Sequence, residues 1–136
     1  MKTSFLALLL GGFALPALAD VAVIAHPGND LAALSEREAR DIFLGRTRLF
    51  PNQHFALPLD QASPLRAEFY QRLTGRPIEQ IDAYWARLLF TGQSSPPPQL
   101  PDDAAMLQTV RANQDALGYI DATHVDGTVR VLLMLR

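Results

Sequence analysis

Val21-Ala22-Val23-Ile24-Ala25, followed at once by His26-Pro27-Gly28-Asn29-Asp30, decides the reading of this chain. Five apolar residues in a row have no polar face to offer water. Such a run fits a strand covered on both sides, and the Pro-Gly-Asn-Asp cluster ends it with turn residues. A strand buried on both faces needs helices above and below it, so the chain downstream should supply them.

It does. Ser35-Glu36-Arg37-Glu38 is a capping box, in which Ser35 accepts from the amide three residues on and Glu38 reaches back. The helix it opens carries Leu34, Ala39, Ile42 and Phe43 on one side and stops at Gly45. Arg46 to Asn52 reads as a loop. Phe55-Ala56-Leu57-Pro58-Leu59 reads as a second strand, placed at an edge or bulge by Pro58. Ser63-Pro64 predicts a second helix, with Ser63 as N-cap and Pro64 in the first helical position. Leu65, Phe69 and Leu73 form its apolar side and Gly75 closes it. Pro77 starts a third helix whose stripe is Ile78, Ile81, Trp85, Leu88 and Leu89, ending at Gly92. Tyr84, Trp85 and Phe90 are expected in the core, and Arg46 and Arg48 in water.

Ser94 to Pro101 holds four of the ten prolines and reads as a stiff extended connector. Asp102 or Asp103 then caps a fourth helix bearing Met106, Leu107 and Val110. Ala116 to Ile120 and Val129 to Leu135 are strands, with a tight-turn or hairpin signal at Asp126-Gly127. The order β-α-β-α-α-α-β-β predicts an α/β domain, a mixed sheet of about four to five strands flanked by about four helices.

Upstream of this domain, Met1-Lys2-Thr3-Ser4 precedes the apolar run Phe5 to Leu10, and Ala17-Leu18-Ala19 follows. This is the pattern of a secretory signal peptide over residues 1–19, cut to leave Asp20 first. Gly11, Gly12 and Pro16 break the apolar stretch, which is shorter than the roughly 20 residues a membrane span needs. The remaining 117 residues fit one domain, 20–136, in the periplasm, with no membrane span after cleavage. Cysteine is absent, so packing alone must hold it. Lys2 is the only lysine; eleven arginines then face fourteen carboxylates, a net charge of −3. No basic stripe for nucleic acid is evident.

Ligands in open α/β sheets bind beyond the C-terminal ends of strands. Two such ends stand out, His26-Pro27-Gly28-Asn29 and Asp60-Gln61-Ala62-Ser63. The second runs into a helix whose first amides suit an oxyanion, and Ser63 adds a hydroxyl and Arg66 a guanidinium. The candidate ligand residues are therefore Ser63, Arg66, Asp60 and His26. Each has a plain structural alternative: Ser63 as a simple cap, Arg66 as a solvated helix residue, Asp60 as a brace for the turn, His26 as a loop residue. Pro64 also removes one amide the site would use. The oxyanion reading requires an accessible hollow at this helix start, with Arg66 leaning toward it. His26, His54 and His124 lack metal-ligand spacing, and no nucleophile elbow, phosphate loop or HExxH is present, so neither a cofactor, a metal nor an enzyme is indicated.

Three stretches carry a resemblance: Leu34-Ser35-x-x-Glu38-x-x-x-Asp41-Ile42-Phe43-Leu44-Gly45, Tyr84-Trp85-Ala86-Arg87-Leu88-Leu89-Phe90-Thr91-Gly92, and Ala116-Leu117-Gly118-Tyr119-Ile120. Together they resemble small periplasmic proteins of the phosphate ABC transporter substrate-binding-like kind, in the type 2 periplasmic binding protein superfamily. The resemblance implies a single-lobe domain of that fold and Ser63 as the best site candidate. The full receptors bind phosphate with a Ser-Gly-Thr at a helix start. Ser63-Pro64-Leu65 stands in that place and keeps only the serine. Full receptors close two lobes around their ligand, and this chain has room for one. The implied function is periplasmic solute binding, of phosphate or a related oxyanion, for an ABC transport system with a membrane partner. The alternative is a ligand-free module of the same fold that binds an envelope protein.

Overall fold

The computed structural model describes residues 20–136; the expected signal peptide, residues 1–19, lies outside the described residues. Strand β1 is Val21–Ala25, and helix α1 is Glu36–Phe43. Strands β2 (Leu57–Pro58) and β3 (Asp60–Gln61) lead into α2 (Leu65–Thr74) and α3 (Ile78–Phe90). Then come β4 (Gln99–Leu100), α4 (Asp103–Ala112), β5 (Ala116–Asp121), a 3₁₀ turn at Ala122–His124, and β6 (Arg130–Leu135).

The main sheet has the order β2-β5-β1-β6. Strand β1 runs antiparallel to both β5 and β6, while β2 runs parallel to β5, so the sheet is mixed. All five β1 residues are fully buried, and they divide by alternation. Val21, Val23 and Ala25 face the α1–α3 side with Ile42, Phe43, Phe69 and Leu73. Ala22 and Ile24 face the other side with Met106, Val110 and Ile120. The continuous apolar run is thus explained by two cores, one on each face of a single strand.

Local signals are realised as hydrogen bonds. Ser35 Oγ accepts from the Glu38 amide at 3.0 Å, and Glu38 accepts from the Ser35 amide at 2.9 Å. Gly45 turns with φ +74°, and a Cβ there would sit 3.0 Å from Trp85 Cη2. At Gly118 an added Cβ would collide with Met106 Sδ, which is how closely α4 packs on β5.

Several expectations change. The second strand is two short ones, β2 and β3, broken at Leu59, with Pro58 on the outer edge of the sheet as its missing N–H requires. Helix α2 starts at Leu65, with Pro64 in the cap position and no side-chain cap bond. Ser63 stands one residue further out; its Oγ donates to Gln61 Oε1 at 2.7 Å and accepts from the Leu65 amide at 3.3 Å. The proline connector contains strand β4, parallel to β3. Asp126-Gly127 forms a tight turn, but β5 and β6 are not a hairpin, because β1 lies between them. Of the third helix, Trp85 is buried, whereas Leu89 is 58 % and Phe90 92 % exposed. The helix outruns the core it covers, and its last turn has nothing to pack on.

Candidate functional site

The end of β3 carries two polar residues that are almost wholly buried, Asp60 at 1 % and Gln61 at 0 % exposure. A buried carboxylate is stable only with partners, and Asp60 has four. Its Oδ1 accepts from the Gln61 amide at 2.8 Å and from the Tyr119 hydroxyl. Its Oδ2 accepts from Arg66 Nε at 3.0 Å and from the Tyr70 hydroxyl at 3.2 Å. Tyr119 is itself fixed by stacking on Phe69, ring centroids 3.7 Å apart. Burial, and then the charge of Asp60, push the Tyr70 and Tyr119 hydroxyls far above the ordinary phenol range, so both remain proton donors.

Arg66 closes this knot. Its Nη1 reaches Asp82 Oδ1 at 2.8 Å while Nε holds Asp60, and the guanidinium lies 5.4 Å from the centre of the Tyr70 ring. Burial disfavours its charge, but the hydrogen bonds and charges of Asp60 and Asp82 outweigh that and raise its pKa above the ordinary value. The expectation that Arg66 leans toward an open hollow is corrected here. Two carboxylates of the same chain already occupy it.

The hollow itself exists. Beside the start of α2 lies an open depression of about 860 Å³, bordered by Ser63, Pro64 and Leu65 on one side and by the start of α4 on the other. Gln61 forms part of its lining and is saturated. Its Nε2 donates to Asp103 Oδ1 and to the Tyr119 carbonyl, both at 2.7 Å, and its Oε1 accepts from Ser63. Asp103 Oδ2 pairs with His124 Nδ1 at 2.7 Å and accepts from the Asp121 amide at 3.0 Å. The Asp103 hydrogen bond raises the His124 pKa above its ordinary value. Thr123, through hydroxyl and amide, lowers that of Asp121.

The charge of this hollow is opposite to the one an oxyanion needs. Glu68, Asp102, Asp103 and Asp121 line it, against the single histidine His124. Glu68 is shared with Arg72 at 2.6 Å, and Asp102 caps α4 by accepting from the Ala105 amide at 2.9 Å. Leu65, Pro64, Ala104 and Leu107 supply apolar wall.

Of the four residues proposed from sequence, the structure brings Ser63, Asp60 and Arg66 together and sets His26 apart. Because β1 is antiparallel to β5 and β2 is parallel to it, β1 ends opposite Leu117 whereas β3 ends beside Tyr119, toward the other end of the sheet. His26 Nδ1 accepts from the Gly28 amide at 2.9 Å and braces its own turn. Sequence reasoning missed Gln61, Asp103 and His124. A buried glutamine just before Ser-Pro leaves no periodic signal. A histidine three residues past a strand is visible only once β5 and α4 are known to converge. No group of three His, Cys, Asp or Glu residues that could hold a metal is present among the described residues.

No family model matches the sequence, and no curated protein matches it. Solved structures do. One is a candidate phosphate ABC transporter substrate-binding protein from Clostridium perfringens with bound phosphate: 17 % identity, 91 % of this chain and 49 % of that one covered, TM-score 0.67. The fold is that of phosphate ABC transporter substrate-binding proteins. An ABC-type phosphate transport receptor from Vibrio cholerae matches at 16 % identity over 86 % of this chain and 47 % of that one, TM-score 0.65. A candidate phosphate-binding protein from Planctomyces limnophilus matches at 14 % identity, 97 % and 48 % covered, TM-score 0.60. The chain spans about half the length of these substrate-binding structures, and at these identities the likeness is one of fold. No described helix is long and apolar enough to cross a membrane.

Proposed function

We propose that this chain is exported to the periplasm and acts there as a single-lobe, solute-receptor-like binding module. It contacts another protein through the hollow beside α2 and captures no phosphate on its own. It is a binding protein, not an enzyme. The observation that carries this reading is the state of the charges: Arg66 is held between Asp60 and Asp82, and four carboxylates line the space where an oxyanion would sit. A phosphate entering there meets like charge in an open, half-solvated site, where its remaining hydrogen bonds are weak.

Thermal unfolding of the chain from Asp20 onward, with and without millimolar phosphate or sulfate, tests this. A receptor with micromolar affinity would gain about 4 kcal/mol at a thousandfold excess over its Kd. The expected shift is none. A clear rise in Tm that Ser63→Ala abolishes overturns the reading. Export is tested separately: a periplasmic fraction whose N-terminal sequence begins at Asp20 supports it, and retention in the cytoplasm with Met1 intact overturns it.

A second reading keeps an oxyanion as ligand for an ABC transport system. It is favoured by the Ser63 hydroxyl at the rim of the hollow and by the phosphate bound in a protein of the same fold. In that reading Ser63 makes the contact, Arg66 must first leave Asp82, Asp60 anchors the helix start, and His26 takes no part.

A further inference from the structure

Two surfaces of this molecule are unfinished in complementary ways. The first is the hollow, with apolar walls from Leu65 and Leu107 and carboxylates from Asp102, Asp121 and Glu68. The second is the last turn of α3. Phe90 there is 92 % exposed and Leu89 58 %, the two most exposed large hydrophobic residues described. Arg87 lies one turn back on the Phe90 side, exposed, with no carboxylate within 4.0 Å among the described residues. Aromatic residues and arginine are enriched at the cores of protein interfaces, and a hollow of about 860 Å³ has room for both.

We infer that the occupant of the hollow is a second copy of this chain, which inserts Phe90 and Leu89 against Leu65 and Leu107 and sets Arg87 among Asp102, Asp121 and Glu68. The contact joins unlike surfaces. It closes as a two-fold pair, each copy's α3 end in the other's hollow, or it runs head to tail. Burying the ring removes an apolar surface that otherwise stands in water, since an aromatic side chain contributes about 150–250 Å² to an interface. The charges select orientation: two hollows facing each other, or two α3 ends, place like charge against like. This inference rests on the reading of the hollow as a contact surface.

Sedimentation velocity of the chain from Asp20 onward tests it, over about 10 µM to 1 mM in low salt, the range of weak self-association. The mass should rise with concentration and fall back in 0.5 M salt, where the Debye length is about 4 Å. Phe90→Asp should weaken association roughly tenfold or more. The triple variant Glu68→Gln, Asp102→Asn, Asp121→Asn should do the same while preserving the α4 cap, and circular dichroism checks that both variants stay folded. Mixing the two variants is decisive. Phe90→Asp keeps an intact hollow and the triple variant keeps an intact Phe90, so the mixture should form a heterodimer through that one contact and associate more strongly than either variant alone. A wild-type monomer at 1 mM overturns the inference, and so does association that neither variant weakens. If the wild type is monomeric but a short peptide of alternating Arg and Phe binds the hollow, the occupant is another protein. A monomer without a phosphate shift leaves the contact-surface reading standing. A phosphate shift lost in Ser63→Ala removes that reading, whatever the state of assembly.

Discussion

Asp60 and Asp103 stand at neighbouring ends of β3 and α4, bridged by Gln61, and they meet opposite fates. Asp60 is buried with four donors from its own chain, and none of its capacity faces outward. Asp103 is also well bonded, but it sits in the lining of an open hollow, among other carboxylates. A charge whose partners lie in the same chain becomes structure. Asp103 is held by its own chain as well, yet it belongs to an open acidic lining with Glu68, Asp102 and Asp121, which a further cation can approach.

The largest effect that would break this contrast is on stability. Asp60→Ala leaves Arg66 half-buried without one partner and strips acceptors from Tyr70 and Tyr119. It should cost about 3–5 kcal/mol in urea unfolding, as breaking a buried pair does. Should that variant fail to fold, Tyr119→Phe removes one donor to Asp60 and a second acceptor of the Gln61 amide, and should cost about 1–2 kcal/mol. Asp102→Asn keeps a good cap and should cost less than about 0.5 kcal/mol. Equal costs at Asp60 and Asp102 would erase the distinction between knot and hollow.

How much of this was legible follows from the same contrast. The strand Val21–Ala25 and the Ser35 capping box were readable because their causes are local: an unbroken apolar run and two hydrogen bonds within four residues. The covered sheet followed from them. The pairing of Arg66 leaves no sequence signal, because its partners, six and sixteen residues away, are set by how β3, α2 and α3 pack. His26 and Ser63 stand together as candidates in the sequence because it shows that a strand ends and not which way it runs. Strand β4 hid among prolines, since a two-residue ladder beside β3 needs only a straight backbone there. Phe90 fits the apolar stripe that predicts a core position, whereas only the length of α3 relative to its neighbours decides its exposure.

Ser63 lies on the boundary between the two regions, and a smaller effect measures which one it serves. Its hydroxyl donates to Gln61 Oε1, a buried acceptor. Ser63→Ala should therefore destabilise by about 1 kcal/mol in urea unfolding, the net worth of one hydrogen bond. No change in stability would assign the hydroxyl to a ligand and not to the fold.

The smallest effect is on the pH dependence, and it belongs to the hollow alone. The bond from Asp103 outweighs the opposing effect of burial and, with the charges of Asp103 and then Asp121, raises the folded-state pKa of His124 above the unfolded value of about 6.5. A raised pKa means that the folded state holds the proton more tightly. The pair therefore stabilises fully below about pH 6.5, and its contribution is lost as pH rises through the folded value. His124 is largely exposed, so solvent keeps the effect small. An NMR titration of the imidazole should show the raised midpoint, and Asp103→Asn should return it toward about 6.5. If the midpoint stays high in that variant, the proton is held by Asp121 and the rest of the acidic lining, and the hollow acts on His124 as a field instead of through one bond.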